Sequence, residues 1–138
     1  MHYQLGTVLL LKGETAGALE EFQLEESSWI RIGLPMAYHA LNRQAESDTA
    51  LAELIAKDAS DSAYNIAYVF AFRGETDKAF EWLDKAEQQD DGGLSDIAVE
   101  PLFASLRSDP RWLPFLRKLG KAPEQLGRIE FRVTLPKG

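Results

Sequence analysis

The chain has no cysteine and only two histidines, His2 and His39, in 138 residues. The first absence excludes disulfides, thiolate zinc sites and cysteine nucleophiles. The second leaves too few imidazoles for most histidine-based metal sites. Basic residues are the minority charge, 15 Lys and Arg against 22 Asp and Glu, for a formal charge of -7. Such a balance argues against a nucleic-acid partner, because phosphate contacts need a surplus of Lys and Arg. The most apolar run, "VLLL" at 8–11, falls far short of the roughly 20 residues a membrane helix requires. The start, "MHYQLG", lacks the basic stretch and long apolar segment of a signal peptide. These absences predict a soluble, cytoplasmic chain with no membrane partner, and the lack of cysteine fits a reducing compartment.

What is present is enough for one domain: 45% hydrophobic and 27% charged residues support a continuous core beneath an ordinary surface. Within it, "LKGETAGALEEF" (11–22) lies over "FRGETDKAFEWL" (72–83) without a gap. An offset of that size is about twice a period of roughly 30 residues, which is in the range of repeat architectures. A middle copy fits at 32–54, "IGLPMAYHALNRQAESDTALAEL". The three copies align Leu5, Leu34 and Ile66, then Gly6, Pro35 and Ala67, then Leu9, Tyr38 and Phe70. Further columns hold Gly13, Asn42 and Gly74; Ala18, Ser47 and Ala79; Phe22, Leu51 and Leu83; and Glu25, Leu54 and Ala86. Each copy has two apolar runs at helical spacing on either side of a turn. Gly13, Asn42 and Gly74 stand where a left-handed residue closes a helix. Glu14 and Glu75 put an acid near the next helix N-terminus. Small residues at Gly6, Ala67, Ala18 and Ala79 allow paired helices to approach closely. The reading is a stack of antiparallel helix pairs, each too small to bury its apolar face alone. Pro35 is the discordant residue: either its helix begins near Leu34, where a first-turn proline is tolerated, or the helix kinks there.

The copies resemble the tetratricopeptide repeat, whose signature is a leucine and a small residue, an aromatic, then an alanine and a phenylalanine, over about 34 residues. "LGTVL" with "ALEEF" and "IAYVF" with "AFEWL" follow it. The middle copy departs at Pro35 and Ser47. The customary tryptophan is replaced by His2, Arg31 and Ala63, and the closing proline by Ile30, Ala59 and Asp91. The resemblance implies an all-α fold, a right-handed α-solenoid of three helix pairs at 1–28, 29–59 and 60–91. Its concave surface would be lined by Tyr3 and Thr7, then Ile32, Met36 and His39, then Tyr64, Asn65, Tyr68 and Phe72. Tyr64, Tyr68 and Phe72 recur every fourth residue and so share one helix face. Aromatic and methionine side chains on such a face offer a peptide groove, though they serve equally as core between helices. One subtype of the family grips a carboxylate with Lys, Asn and Arg. The matching places here are Tyr3, Thr7, Gly33, Asp61 and Asn65, of which Asn65 alone could serve.

Beyond "QQDDGG" (88–93) the period stops. Residues 92–121 read as capping helices for the last apolar face: Pro101 and Pro110 at first helical positions, Asp109 as an N-cap, Gly120 as a stop. Trp112, Phe115, Leu116 and Leu119 form the inward face. The string "EPLFASLRSDPRWLPFLRKLG" is similar to the tail of bacterial signalling proteins in which tetratricopeptide modules follow adenylate-cyclase, kinase or winged-helix domains. The chain starts inside the first helix of a repeat, so a detached module or an unseen upstream portion is expected. In the tail 122–138, "RIEFRVTL" (128–135) alternates strictly, with Ile129, Phe131, Val133 and Leu135 on one side. That is strand periodicity. A lone strand is not stable, so it would pair with a second copy in a homo-oligomer, meet a partner, fill the chain's own groove, or stay without fixed structure.

No phosphate-binding, nucleophile-elbow, zinc or calcium-loop motif is found. "DDGG" reads as a turn, and Glu20, Glu21, Glu25 and Glu26 read as a solvated face. No catalytic residue, metal ligand or cofactor is therefore expected. The expected role is a non-catalytic module that binds a protein or peptide, with self-assembly through the tail, or service as the regulatory part of a signalling protein, as alternatives.

Overall fold

Each apolar run becomes a helix that stops where its pattern stops. The structure is a computed structural model that describes residues 2–125. Among these are α1 (His2–Leu11), α2 (Thr15–Leu24), α3 (Ile30–Ala40), α4 (Gln44–Asp58), α5 (Ala63–Phe72), α6 (Thr76–Gln88) and α7 (Trp112–Lys118). Two 3₁₀ segments, Gly92–Asp96 and Pro101–Leu106, lie between α6 and α7. Consecutive helices pack as the pairs α1/α2, α3/α4 and α5/α6, and the first helices touch in the row α1, α3, α5. No described helix is long and apolar enough to cross a membrane. The candidate strand 128–135, with Ile129, Phe131, Val133 and Leu135, lies outside the described residues.

The same chemistry closes the first helix of every pair. The amide of Gly13 donates to the Leu10 carbonyl at 3.1 Å, and that of Glu14 to Leu9 at 2.9 Å. Asn42 and Arg43 repeat this on His39 and Tyr38, at 3.0 and 2.9 Å; Gly74 and Glu75 repeat it on Ala71 and Phe70, at 3.0 and 2.9 Å. These nested bonds satisfy carbonyls that a helix end otherwise orphans, and they need one residue in the left-handed region. Gly13, Asn42 and Gly74 supply it with φ of 83°, 61° and 79°. Glu14 and Glu75 then stand at the caps of α2 and α6 without a side-chain cap hydrogen bond; their carbonyls accept from the Ala18 and Ala79 amides at 3.0 Å, and their side chains act on those helices through charge.

Phe22 joins the first two pairs. Its ring is fully buried between Gly6 of α1 and Gly33 of α3. A Cβ placed on Gly6 would fall 2.5 Å from that ring, and one on Gly33 2.3 Å. Hydrogen at these two positions is what lets an aromatic side chain enter between the helices.

The two departures of the middle pair turn out to be partners. Helix α3 begins at Ile30 and continues through Pro35, so of the two alternatives the start near Leu34 does not hold. The carbonyls of Ser27, Ser28 and Trp29 accept from Ile30, Arg31 and Ile32 at 3.2, 3.1 and 3.0 Å, which nucleates the helix a full turn earlier. The Ser47 hydroxyl, fully buried, donates to the Pro35 carbonyl at 2.7 Å and accepts from Arg73 Nη1 at 3.3 Å. Arg73, at the end of α5, also binds Asp48 at 2.6 Å and so ties the third pair to the second. An alanine at position 47 would leave the Arg73 guanidinium, 7% exposed, one acceptor short.

In the cap, Pro101 takes its expected first position behind Glu100, whose carboxylate accepts from the Leu102 amide at 3.3 Å. That segment is 3₁₀ rather than α-helix. Pro110 is not in α7, which starts at Trp112; Asp109 instead caps the preceding turn, accepting from the Arg111 amide at 2.8 Å. Phe103, Leu106, Trp112, Phe115 and Leu116 are buried, and the Arg111 guanidinium lies 4.6 Å from the Phe80 ring on α6.

Replacing Gly33 by alanine is expected to lower the unfolding free energy by about 1–3 kcal/mol, the usual range for overpacking. Adding Phe22→Leu should recover part of that loss, a coupling that thermal or urea denaturation of the two single variants and the double variant would measure. An unchanged melting temperature for Gly33→Ala would show that Phe22 does not fill this gap.

Candidate functional site

Helix α5 sets the floor of the one cleft into which the candidate residues converge. The spacing of four puts Tyr64 and Tyr68 on the same face of α5, their rings 5.7 Å apart and nearly perpendicular. Phe103 packs edge-on against both, at 5.4 and 6.1 Å. Tyr3 comes from α1, and its hydroxyl is hydrogen-bonded to that of Tyr68. On its other side Tyr3 stacks obliquely on Trp29 at 4.8 Å and on Phe22 at 5.7 Å. The two helices are thus joined across the molecule by a pair of phenols.

The resulting cleft is about 550 Å³ and open to solvent, and Tyr3, Thr7, Tyr64, Asn65 and Tyr68 line it. Five of the nine side chains expected on the concave face are therefore brought together. The other four lie elsewhere. Ile32 and Met36, at 4% and 0% exposure, are packed between helices. His39 and Phe72 meet edge-on at 6.1 Å, and the His39 ring also faces the Gln44 amide oxygen at 3.2 Å. The run Tyr64, Tyr68, Phe72 is thus divided, two rings at the cleft and one beyond it. Tyr64 and Tyr68 are themselves 4% and 3% exposed, so they form its floor rather than a free-standing aromatic face.

The rest of the lining comes from outside the regular repeat pattern. Trp29 stands in the serine-rich link before α3, and Asp96, Glu100, Pro101 and Leu102 come from the 3₁₀ region. Trp29 carried a weak sequence signal, a tryptophan next to two serines. Glu100 carried none, since one glutamate before a proline is ordinary turn chemistry. Asp91 holds this region in place. Its carboxylate accepts from the Gly93 amide at 2.9 Å and, across the chain, from the Tyr64 amide at 3.1 Å. It therefore satisfies a donor at the open N-terminus of α5, whose own cap Ser62 makes no side-chain bond. Glu25 does the same for α1, accepting from the Tyr3 amide at 2.9 Å.

Electrostatically the cleft is neutral phenols beside carboxylates. Burial pushes the Tyr3 hydroxyl up to about 12. Burial also raises Tyr68, with Tyr3 next in effect, and raises Tyr64, with the charges of Glu100, Asp96 and Asp91 adding to it. Desolvation holds the Glu100 carboxyl above the usual carboxylate range, against the Leu102 amide that favours its charge. The Tyr64 hydroxyl is buried without a hydrogen-bond partner among the described residues, a condition that ordinarily costs about 1–3 kcal/mol. No group of three or more metal-binding side chains is assembled among the described residues. No known protein family, curated protein or solved structure matches this chain.

Raised phenol values translate into a loss of stability at alkaline pH. Above about pH 10 an unfolded chain releases its phenolic protons while the folded one retains those of Tyr3, Tyr64 and Tyr68. Stability is thus unaffected below that point and falls as pH climbs toward 12. The shift of Tyr3 alone corresponds to about 3 kcal/mol lost once pH passes it. Urea denaturation at pH 8, 10 and 11 should show a falling midpoint, with phenolate absorbance appearing together with unfolding. Constant stability over that span would contradict the burial of these phenols.

Proposed function

We propose that this chain is a non-catalytic interaction module of the tetratricopeptide type, a right-handed stack of three helix pairs with a C-terminal cap, which binds a segment of a partner polypeptide in the Tyr3–Tyr68 cleft. The repeat reading draws support from the three identical helix closures at Gly13, Asn42 and Gly74 and from the row of first helices. The binding reading rests on one observation, the cleft itself. At about 550 Å³ it falls in the size range of ligand sites, and its mix of apolar walls and a few oriented polar groups is what such sites have.

Its rim groups three exposed apolar side chains at one place. Val8, Leu11 and Trp29 all border it, at 51%, 47% and 44% exposure. Trp is the residue that most often anchors an interface, because it buries a large rigid surface with few torsions to fix. Asn65, half-buried at the floor, has an amide donor and acceptor suited to the backbone of an extended segment.

Peptides selected from a displayed library on the immobilised chain should bind Trp29→Ala and Asn65→Ala at least about tenfold more weakly, the loss of one good anchor. Trp29 is exposed, so both variants should keep their helical circular dichroism. Unaltered affinity in both would reject the cleft as the binding surface.

A further inference from the structure

Asp96 and Glu100 both line the cleft, the charge of Asp96 acting on Glu100, and no Lys, Arg or His is among the described residues that line it. Several other carboxylates of this chain meet cations: Asp58 meets Arg31 at 2.7 Å, Asp48 meets Arg73 at 2.6 Å, and Asp109 meets Arg111 at 3.0 Å. Neither Asp96 nor Glu100 forms a carboxylate ion pair among the described residues; the nearby Arg107 guanidinium donates to the Glu100 backbone carbonyl at 2.9 Å instead, and its charge offsets only part of the Glu100 carboxylate's burial. Two like charges at a partly desolvated wall repel, and an opposite charge placed between them removes both the repulsion and the imbalance.

Three further features favour the same occupant. The cleft holds the rings of Tyr3, Trp29, Tyr64 and Tyr68, and aromatic faces attract cations. Its phenols are neutral, so their oxygens accept hydrogen bonds from N–H donors. One of those oxygens, Tyr64 Oη, is buried at the floor and has no partner among the described residues, while Tyr3 and Tyr68 bond to each other. An ammonium or guanidinium group supplies donors for the orphaned phenol and for Glu100 together. A carboxylate could accept from the Tyr64 O–H but would face two negative charges, so the carboxylates and not the phenol decide between the two occupants.

We infer that the cleft recognises a basic side chain, lysine or arginine, carried on a partner polypeptide, with Glu100 and Asp96 as its counter-charges, the Tyr64 hydroxyl as a hydrogen-bond acceptor and the Tyr3, Trp29 and Tyr68 rings as its walls. This rests on the reading of the cleft as a peptide groove and adds the chemistry of what enters it. The apolar remainder of the lining, Val8, Leu11 and Leu102, suits the aliphatic stem of such a side chain and its neighbours.

The test uses the full chain, labelled with nitrogen-15, and two acetylated and amidated hexapeptides of alanine and leucine. One has a central arginine; its twin has citrulline, equal in shape and uncharged. The arginine peptide should move the amide signals of Asn65, Gly93 and Leu102 and bind at least tenfold more tightly than the citrulline twin. Glu100→Gln should abolish that difference and Asp96→Asn reduce it, while Tyr64→Phe should weaken the arginine peptide several-fold and, by removing an unpartnered buried hydroxyl, raise the melting temperature. Equal binding of the twins at these signals would overturn the charge preference and leave the peptide groove standing. No movement at the cleft with either peptide would overturn both. Movement of the same signals in Arg132→Gln, with no added peptide, would make the chain's own tail the occupant and overturn the external partner.

Discussion

Everything in this molecule is arranged around the need to cover α5. Its sequence, "AYNIAYVFAF", has no charged residue, and eight of its side chains are buried, from Ala63 and Tyr64 through Ala71. A helix apolar all round has no face to give to water, so it must be enclosed. Helix α6 covers one side, α3 and α4 a second, and the 3₁₀ segments a third. An ordinary amphipathic helix would have needed only its own hairpin partner. Because α5 needs more, residues 92–106 are drawn back over it, and the carboxylates of Asp96 and Glu100 arrive beside its tyrosines. The cleft is the place where this enclosure is incomplete.

The middle helix pair departs from the other two at two residues. Pro35 within α3, and Ser47 where the other pairs have Ala18 and Ala79, look like independent faults when the sequence is read as columns. In space they are a donor and an acceptor, 2.7 Å apart. The serine that fails the column is also the one that holds Arg73, so the weakest copy in sequence terms makes a polar link to the next pair. Such a link is directional where apolar packing is not, and fixes how far one pair is rotated against another.

Much of this was legible from residue spacing alone. Helix pairs were, because the 3.6-residue period and the left-handed turn residue are local properties; even Asn42 could be recognised as a glycine substitute. The aromatic stripe was legible at Tyr64 and Tyr68 for the same reason. What spacing could not convey was which neighbour each ring would meet. Phe72 keeps the interval of its two companions and still lies elsewhere, because the row of first helices brings His39 to it and Tyr3 to Tyr68. Glu100, Asp91 and Trp29 stand outside any periodic element, and their roles depend on chain segments far away in sequence. The proline rule leaves the start of α3 open between Leu34 and an earlier residue, because it speaks only for Pro35 and its preceding turn, whereas the turn bonds of Ser27, Ser28 and Trp29 set the start at Ile30.

Phe22, Gly6 and Gly33 lie on three different helices, yet they share a single volume. A lineage that drifted at either glycine would have to shrink the aromatic first, and one that shrank the aromatic would open a void that the glycines could then fill. Passage between these two solutions runs through a less stable intermediate in both directions. Among descendants of this chain the three positions should therefore change together or not at all, and their joint pattern would record shared ancestry even after the remaining surface had diverged.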